Sequence, residues 1–256
     1  MSAPAILRTA WPSAFPDVVI HTDVRTRDSN RHYAAAKSGD VEAALALAME
    51  LVNDAALEPL WQMAAGRPFL LLPVVAEEAA GFNAIPDAMA QVLGWLFQRP
   101  HSVVSGQIVQ TNKVGHTRAR AFQRFVTPAV FDGPVERGTN YILIDDHVGL
   151  GGTLANLRGY VECRGGHVIG MTALTESRDG RRISLRPQTL DMLRAKHGEP
   201  LNQLWQDQFG YGLGSLTELE AQILCRQPSL TAIEDFLAQA AVEARGRGLE
   251  VAAERR

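Results

Sequence analysis

The segment 141–153 constrains the fold of this chain more than any other part. It reads Tyr-Ile-Leu-Ile-Asp-Asp-His-Val-Gly-Leu-Gly-Gly-Thr. Residues 141–144 form an apolar run of strand length, and Leu154, Leu157 and Val161 follow Thr153 with helical spacing. A strand, a glycine-rich turn and a helix in direct succession are typical of a parallel sheet covered by helices.

The turn in this segment has the composition of a phosphate-binding loop. Ligands of parallel sheets bind at the carboxyl ends of the strands, where Asp145 and Asp146 stand. Gly149, Gly151 and Gly152 carry no side-chain bulk, so the backbone N–H groups around Leu150 can converge on an anion. The following helix adds its free N–H groups, and Thr153 adds a hydroxyl. The sequence therefore predicts a phosphate site with two carboxylates beside it.

Two other nucleotide-binding motifs do not match the same residues. A dinucleotide fingerprint that starts at Gly149 needs glycine at position 154, which is leucine. A Walker A loop needs a Gly-Lys pair, and the chain has none. A Walker B strand acts on a nucleotide that a Walker A loop holds. Because that loop is missing, the strand before Asp145 is not interpreted as a Walker B strand.

The flanking sequence predicts an α/β fold with helical extensions. Strand-length and helical segments alternate between residues 68 and 175, which favours a parallel sheet with helices on both faces. We expect strands at residues 68–75, 103–109, 125–131, 141–145 and 167–174, and helices at residues 86–97 and 153–163. We also expect a division into a helical N-terminal region at 1–66, a core at 67–176 and a helical C-terminal extension at 177–256.

Helix-start signals support the two helical regions. Asp40 is placed to cap a helix that follows it, and Pro86 suits a first helical turn. After residue 177, four helices are expected at 187–197, 201–208, 216–225 and 230–244. The pairs Ser215 with Glu218 and Thr231 with Glu234 have the spacing of capping boxes.

Composition excludes several classes of protein. The 256 residues include 25 basic and 28 acidic side chains, for a net charge of −3, and 46% are hydrophobic. These values exclude general disorder and a globally basic nucleic-acid binder, so we expect no nucleic-acid partner. No apolar run reaches the roughly 18 residues of a membrane span, and the N-terminus lacks the apolar centre of a secretory signal. With only two cysteines, Cys163 and Cys225, we expect a cytoplasmic protein without a disulfide framework.

One stretch departs from this average charge. Residues 99–131 contain no Asp or Glu, but they contain five basic side chains: Arg99, Lys113, Arg118, Arg120 and Arg124. Such a stretch suits a small polyanionic ligand, and a solvated loop is the alternative interpretation.

The segment 141–153 strongly resembles the PRPP-binding motif of type I phosphoribosyltransferases. In that family four apolar residues precede two acids, and a short turn then ends in Gly-Gly-Thr or Gly-Ala-Thr. The resemblance covers residues 68–175: the loop through Glu77 and Glu78 falls at the family's pyrophosphate loop, and segment 111–120 falls at its mobile loop. Gly81-Phe-Asn83 before a helix is similar to the ComF-type branch.

The resemblance implies a transferase of nucleotide metabolism that moves phosphoribosyl from PRPP to a nitrogenous base and releases pyrophosphate. Asp145 and Asp146 would hold the ribose hydroxyls, and through these or water they would meet Mg²⁺, the implied cofactor. The phosphate would bind to Gly149, Leu150, Gly151, Gly152 and Thr153. The mobile loop would bring Lys113, His116, Arg118 and Arg120 over the pyrophosphate. A homodimer and a small-molecule acceptor are compatible with this function.

Three departures from the family pattern leave a second function open. Gly149 and Leu150 stand where the family often has Thr or Ser, the pyrophosphate loop carries Glu77 and Glu78, and His147 replaces an apolar residue. The alternative is therefore a regulatory protein that binds PRPP or a nucleotide with little catalysis. Fold does not decide between these functions.

Overall fold

The computed structural model describes residues 6–78, 81–98, 102–104, 106–114 and 121–252. The strands are β1 (Val19–Ile20), β2 (Phe69–Pro73), β3 (Glu77–Glu78), β4 (Gly81–Phe82), β5 (Val109–Gln110), β6 (Phe131–Asp132), β7 (Asn140–Val148) and β8 (His167–Glu176). The helices are α1 (Val24–Ser29), α2 (Tyr33–Lys37), α3 (Val41–Leu51), α4 (Leu57–Ala64), α5 (Ile85–Leu96), α6 (Ala121–Val126), α7 (Gly152–Cys163), α8 (Pro187–Phe209), α9 (Glu218–Arg226) and α10 (Leu230–Gly246).

A four-stranded parallel sheet in the order β1-β8-β7-β2 forms the centre of the chain. Val103 extends the sheet beyond β2 through a parallel bridge to Leu71. From β2 the chain therefore moves outward to Val103 and then returns to β7 on the other side of β2. This reversal leaves a crevice at the carboxyl ends of β2 and β7, the position where open α/β sheets bind ligands.

Both faces of the sheet are buried, as the apolar strands predicted. Successive residues of β7 point to opposite faces. Tyr141 and Leu143 pack in a cluster with Leu154 and Leu157 of α7. Ile142 and Ile144 pack in a second cluster, with side chains from α3, α4 and α5. The predicted fold class, a parallel α/β sheet flanked by helices with helical extensions, is confirmed.

Several local predictions are also confirmed. Asp40 caps α3 by accepting the N–H of Ala43 at 3.0 Å, and Pro86 lies in the first turn of α5. Helix α7 spans nearly the predicted residues. The first two predicted C-terminal helices are the two halves of α8, which kinks at Gly198 with a φ of 67°.

The expected strands at 103–109 and 125–131 are wrong over most of their length. Among the described residues within these bounds, Val103 forms a single bridge to Leu71, and only Val109 and Phe131 belong to strands, in the short antiparallel pair of β5 and β6. Residues 125 and 126 instead end helix α6, because Phe125 and Val126 are buried in the core of the C-terminal helices. Their apolar side chains can be buried in a contact between helices as well as in a buried strand.

The two predicted capping boxes are also wrong, each by two residues. Thr217 and Glu220 form the capping box of α9, and Ser229 caps α10 by accepting the N–H of Ala232 at 3.2 Å. Glu218 instead accepts the backbone N–H of Arg186 at 3.0 Å, which connects α9 to the start of α8.

The outer regions of the chain are joined to the core. The N-terminal region contributes β1 to the sheet, and the C-terminal helices build a third apolar cluster around Trp205. The division at residues 66 and 176 stays a prediction. Among the described residues, no helix combines the length and the apolarity that a membrane crossing requires.

Candidate functional site

Asp145 and Asp146 lie side by side at the carboxyl end of β7, but their side chains have different surroundings. Both are buried, with 7% and 6% of their surface exposed. Asp146 Oδ2 lies 2.7 Å from Nζ of Lys37, the last residue of α2. Asp145 lines a pocket over residues 149–152, which we call the glycine turn. Its Oδ1 accepts the backbone N–H of Asp146 at 2.8 Å.

These surroundings shift the two pKa values in opposite directions. Burial and the neighbouring Asp146 charge raise the pKa of Asp145 well above its usual range. Burial also acts to raise the pKa of Asp146, but the charge and hydrogen bond of Lys37 outweigh it and lower that pKa. The pair therefore combines a firmly ionised carboxylate with one that protonates more easily.

The glycine turn forms one wall of this pocket. Gly151 has a φ of 82°, in the left-handed region, and α7 starts at the next residue. A Cβ atom at Gly151 would lie 2.9 Å from Ile183 Cγ1, so the close approach also requires glycine.

The pocket contains about 460 Å³ of space free of protein atoms, part of it open to solvent. Besides Asp145, its lining comprises Arg8, Arg124, Pro128, Ala129, His147, Val148, Gly149, Leu150, Gly151, Gly152, Thr153, Leu154, Asn156 and Glu220. The structure thus brings Asp145 and all five predicted phosphate-binding residues to one pocket.

The N- and C-terminal regions close one side of the pocket. Arg8 forms a buried ion pair with Glu220 of α9, with Nη1–Oε2 at 2.5 Å and Nη2–Oε1 at 2.9 Å. Arg8 Nε also donates to Asn156 of α7 at 2.6 Å. Burial acts to lower the pKa of Arg8, but the charge of Glu220 outweighs it and the pKa is raised. Arg8 therefore stays charged beside the start of α7.

Arg124 of α6 contributes a second guanidinium to the pocket. Its Nη1 lies 2.8 Å from the position that a Cβ atom on Gly149 would occupy. Burial lowers the pKa of Arg124, although guanidinium groups stay protonated in proteins. Arg124 thus places positive charge against the glycine turn.

His147 is fixed in a polar cluster between β7 and β8. Its Nδ1 lies 2.9 Å from Thr175 Oγ1, and its Nε2 lies 3.0 Å from Ser177 Oγ. Arg27 donates to the same Thr175 hydroxyl at 2.8 Å. Burial and the charge of Arg27 lower the pKa of His147. A neutral imidazole therefore stands between the acid pair and this end of β8.

The predicted mobile-loop residues are only partly accounted for. Lys113 is exposed and is not part of the pocket lining. His116, Arg118 and Arg120 lie outside the described residues. The prediction that these four side chains cover a pyrophosphate stays a prediction.

Sequence reasoning missed Lys37, Arg8, Glu220 and Arg124 as parts of this site. Lys37 and Arg8 are more than a hundred residues from the motif and reach it only through tertiary contacts. Arg124 carried a usable signal, because it belongs to the stretch without acids. Glu220 carried a capping signal, three residues after Thr217.

Comparison with curated proteins gives two relatives, and no family model matches the chain. The chain is 38% identical to Protein TraN of Escherichia coli over 240 residues, which cover 94% of this chain and 53% of TraN. It is 39% identical to an uncharacterized protein of Haemophilus influenzae over 155 residues, which cover 60% of this chain and 34% of that protein. The chain thus spans about half the length of the first relative and a third of the second.

Solved structures that align with the chain include phosphoribosyltransferases. An adenine phosphoribosyltransferase aligns with a TM-score of 0.33 and 14% identity, over 56% of this chain and 74% of its own. The orotate phosphoribosyltransferase of Mycobacterium tuberculosis aligns with a TM-score of 0.28 and 15% identity, over 68% of this chain and 78% of its own.

Proposed function

We propose that this chain is a PRPP-dependent phosphoribosyltransferase that acts on a nitrogenous base. One observation carries the proposal: Asp145 and the glycine turn 149–152 line a single pocket at the carboxyl end of β7. The strand order reverses next to β7, on its β2 side, and the carboxyl ends of strands beside such a reversal are the preferred ligand sites of these sheets. The resemblance of segment 141–153 to the PRPP motif supports the choice of ligand.

The glycine turn would hold the 5-phosphate of the sugar. Backbone N–H groups at the start of α7 and the positive end of the helix dipole attract a phosphate dianion. Thr153 lines the pocket beside these groups and can donate its hydroxyl. The guanidinium of Arg124 adds positive charge to the same wall.

The acid pair would hold the ribose hydroxyls. In the reaction, the bond from C1 of ribose to pyrophosphate breaks and a bond from C1 to the base nitrogen forms, with positive charge on the sugar in between. An ionised carboxylate near that charge stabilises it, as carboxylates do in glycoside hydrolysis. Asp145 lines the pocket and is the carboxyl that would meet the sugar directly, while Lys37 holds Asp146 as an ionised carboxylate behind it.

Magnesium fits this site as an ion carried by the ligand. Carboxylates suit Mg²⁺, but Asp146 Oδ2 already contacts Lys37 at 2.7 Å. The described part of the chain also holds no cluster of three or more His, Cys, Asp or Glu side chains that could enclose an ion. Asp145 and Asp146 would therefore meet Mg²⁺ through ribose hydroxyls or water. The chemistry that Mg²⁺ supplies is neutralisation of the leaving pyrophosphate.

A regulatory protein that binds PRPP or a nucleotide is the second candidate. The contact between Lys37 and Asp146 favours it, because this ammonium already neutralises one of the two acids. The acidic residues Glu77 and Glu78, at the predicted pyrophosphate loop, favour it as well. The ComF-type likeness, the homodimer and the cytoplasmic location stay predictions in either case.

Ligand binding is tested by thermal shift with PRPP and Mg²⁺. We expect a concentration-dependent rise in Tm, because a ligand that binds only the folded state stabilises it. The double variant Asp145→Asn with Asp146→Asn should lose the shift. A matched control, Asp191→Asn with Asp235→Asn, removes the same charge from exposed positions and should keep it. An undiminished shift in the Asp145/Asp146 variant would contradict the site assignment.

Turnover is tested by pyrophosphate release from PRPP with a panel of nitrogenous bases. Release with one of these bases, lost in the Asp145/Asp146 variant, supports the transferase. Saturable PRPP binding without release for any base supports the regulatory protein instead.

A further inference from the structure

Position 149 is one of the places where this chain departs from the family it resembles, and Arg124 stands next to that position. We infer that Arg124 is the side-chain phosphate ligand of the glycine turn and replaces the hydroxyl donor that a Thr or Ser at position 149 would supply. The ligand class is a sugar phosphate monoester. This inference rests on the proposed function and names one more residue of its binding site.

The steric relation between the two residues carries the inference. A Cβ atom on Gly149 would lie 2.8 Å from Arg124 Nη1 and 3.8 Å from its Cζ. The guanidinium therefore occupies the space that a residue-149 side chain needs. Since glycine leaves that space open, Gly149 and Arg124 form a matched pair.

Packing of α6 explains how Arg124 is held there. The rings of Phe125 and Trp205 lie 5.2 Å apart, and those of Phe122 and Phe236 lie 5.1 Å apart. Both contacts fix α6 to the C-terminal helices, with Phe125 buried. This anchoring directs Arg124 toward the pocket and lowers the entropy lost when it binds a ligand.

The chemistry of the guanidinium suits a phosphate. Its planar array of N–H donors matches two phosphate oxygens, which a single hydroxyl does not. Two acidic side chains, Asp145 and Glu220, share the pocket lining with Arg124. Glu220 is paired with Arg8, and Asp145 lies at the end of β7, where the sugar hydroxyls are expected.

Ribose 5-phosphate is the probe for this inference, because it carries the phosphate and the hydroxyls but no pyrophosphate. By titration calorimetry, Arg124→Ala should weaken its binding about tenfold or more, the typical effect of losing a charged hydrogen bond. Arg124→Lys keeps the charge but not the planar donor array, so it should bind between Arg124→Ala and wild type. Arg137→Ala, at an exposed position in the turn before the amino end of β7, is the control and should bind like wild type.

The decisive variant exchanges the two residues. Gly149→Thr alone should weaken binding, because its side chain displaces the guanidinium, which is the flexible end of a long side chain. Combined with Arg124→Ala, the threonine gains room and supplies a hydroxyl, so the double variant should bind more tightly than Arg124→Ala. Two results would overturn the inference. One is that Arg124→Ala binds ribose 5-phosphate as tightly as wild type. The other is that the loss of binding free energy in the double variant equals the sum of the losses in the two single variants.

The same titrations separate this inference from the proposed function. If binding depends on Asp145 and Asp146 but not on Arg124, the proposed function stands and the inference is wrong. If wild-type protein binds neither ribose 5-phosphate nor PRPP, both are wrong. Tm measurements on each variant establish that a loss of binding does not reflect unfolding.

Discussion

At the scale of single residues, Asp145 and Asp146 show that neighbours in sequence can differ in chemistry. Adjacent strand residues point to opposite faces, so one carboxylate reaches Lys37 and the other lines the pocket. The sequence predicted that both acids stand at the end of a strand. It did not predict their difference, since that depends on Lys37, more than a hundred residues away.

Single Asn substitutions of the two acids should change stability in opposite directions. At neutral pH a carboxyl whose folded-state pKa is raised destabilises the fold, so Asp145→Asn should raise the free energy of unfolding. A lowered folded-state pKa contributes stability at neutral pH, so Asp146→Asn should reduce the free energy of unfolding. Chemical denaturation at pH 7 measures both effects.

The pH dependence provides the control for this pair. As pH falls through the raised pKa of Asp145, the carboxyl becomes protonated and the advantage of Asp145→Asn should shrink. The loss caused by Asp146→Asn should persist to lower pH and then vanish below the lowered pKa of Asp146. Destabilisation by both variants at pH 7 would contradict the opposite pKa shifts.

A third residue-scale prediction concerns His21, which is buried between β1 and β8. Its Nδ1 accepts the backbone N–H of Asn53 at 3.1 Å, and its Nε2 lies 2.9 Å from Thr172 Oγ1. Burial lowers its pKa to about 4. The neutral form stabilises the fold fully above pH 6.5, and this contribution falls as pH drops from about 6.5 to about 4, by at most about 3 kcal/mol. His21→Gln should flatten the pH profile of stability in that window, and an unchanged slope would show that other groups cause it.

At the scale of elements, the local sequence pattern predicted the structure well for elements that belong to the parallel sheet or pack directly on it. Strand β7 and helix α7 followed from a buried apolar run, a glycine turn and helical spacing. Residues 125–131 failed, because their apolar pattern is compatible with a strand and with a short helix. The core around Trp205, built from distant C-terminal residues, selects the helix.

Gly159 of α7 provides an element-scale test, because helix propensity favours alanine at this position whereas packing requires glycine. Replacing a helical glycine by alanine usually stabilises a protein by about 1 kcal/mol. At Gly159, however, the new Cβ would overlap the carbonyl oxygen of Leu7 and lie 2.5 Å from Arg8 Cα. We therefore expect Gly159→Ala to lower Tm and to expose the peptide bond after Arg8 to trypsin.

Gly246 is the matched control for this substitution. It is the last residue of α10, and a Cβ there would meet no atom within 4 Å. Gly246→Ala should leave Tm unchanged or slightly higher and leave the bond after Arg8 protected. A rise in Tm for Gly159→Ala would show that the N-terminal segment does not pack tightly on α7.

At the scale of the whole molecule, distant parts of the chain meet at the start of α7. Arg8 from the N-terminal region and Glu220 from α9 form an ion pair that borders the pocket. Thr217 Oγ1 donates to the carbonyl oxygen of Leu150 in the glycine turn at 2.6 Å. The sequence motif predicted the turn but not this enclosure, because each contact joins elements that are remote in sequence. The helical extensions are thus part of the architecture of the site.

The ion pair of Arg8 with Glu220 allows a test of this enclosure by a double-mutant cycle. Both side chains are almost completely buried, so removing one partner leaves the other charge uncompensated. Arg8→Met and Glu220→Met should each lower the free energy of unfolding by about 3–5 kcal/mol. The double variant should lose much less than the sum, since it buries no unpaired charge.

The exposed pair of Arg181 with Glu176 is the reference cycle for this measurement. Arg181 is half exposed, so solvent screens the pair and its coupling energy should stay below about 1 kcal/mol. A large coupling for Arg8 with Glu220 and a small one for Arg181 with Glu176 would show that the terminal regions are joined through a buried charge. Equal, small couplings would mean that this ion pair does not hold the two regions together at α7. In that case the single variants at Arg8 and Glu220 should also leave the Tm shift with PRPP intact.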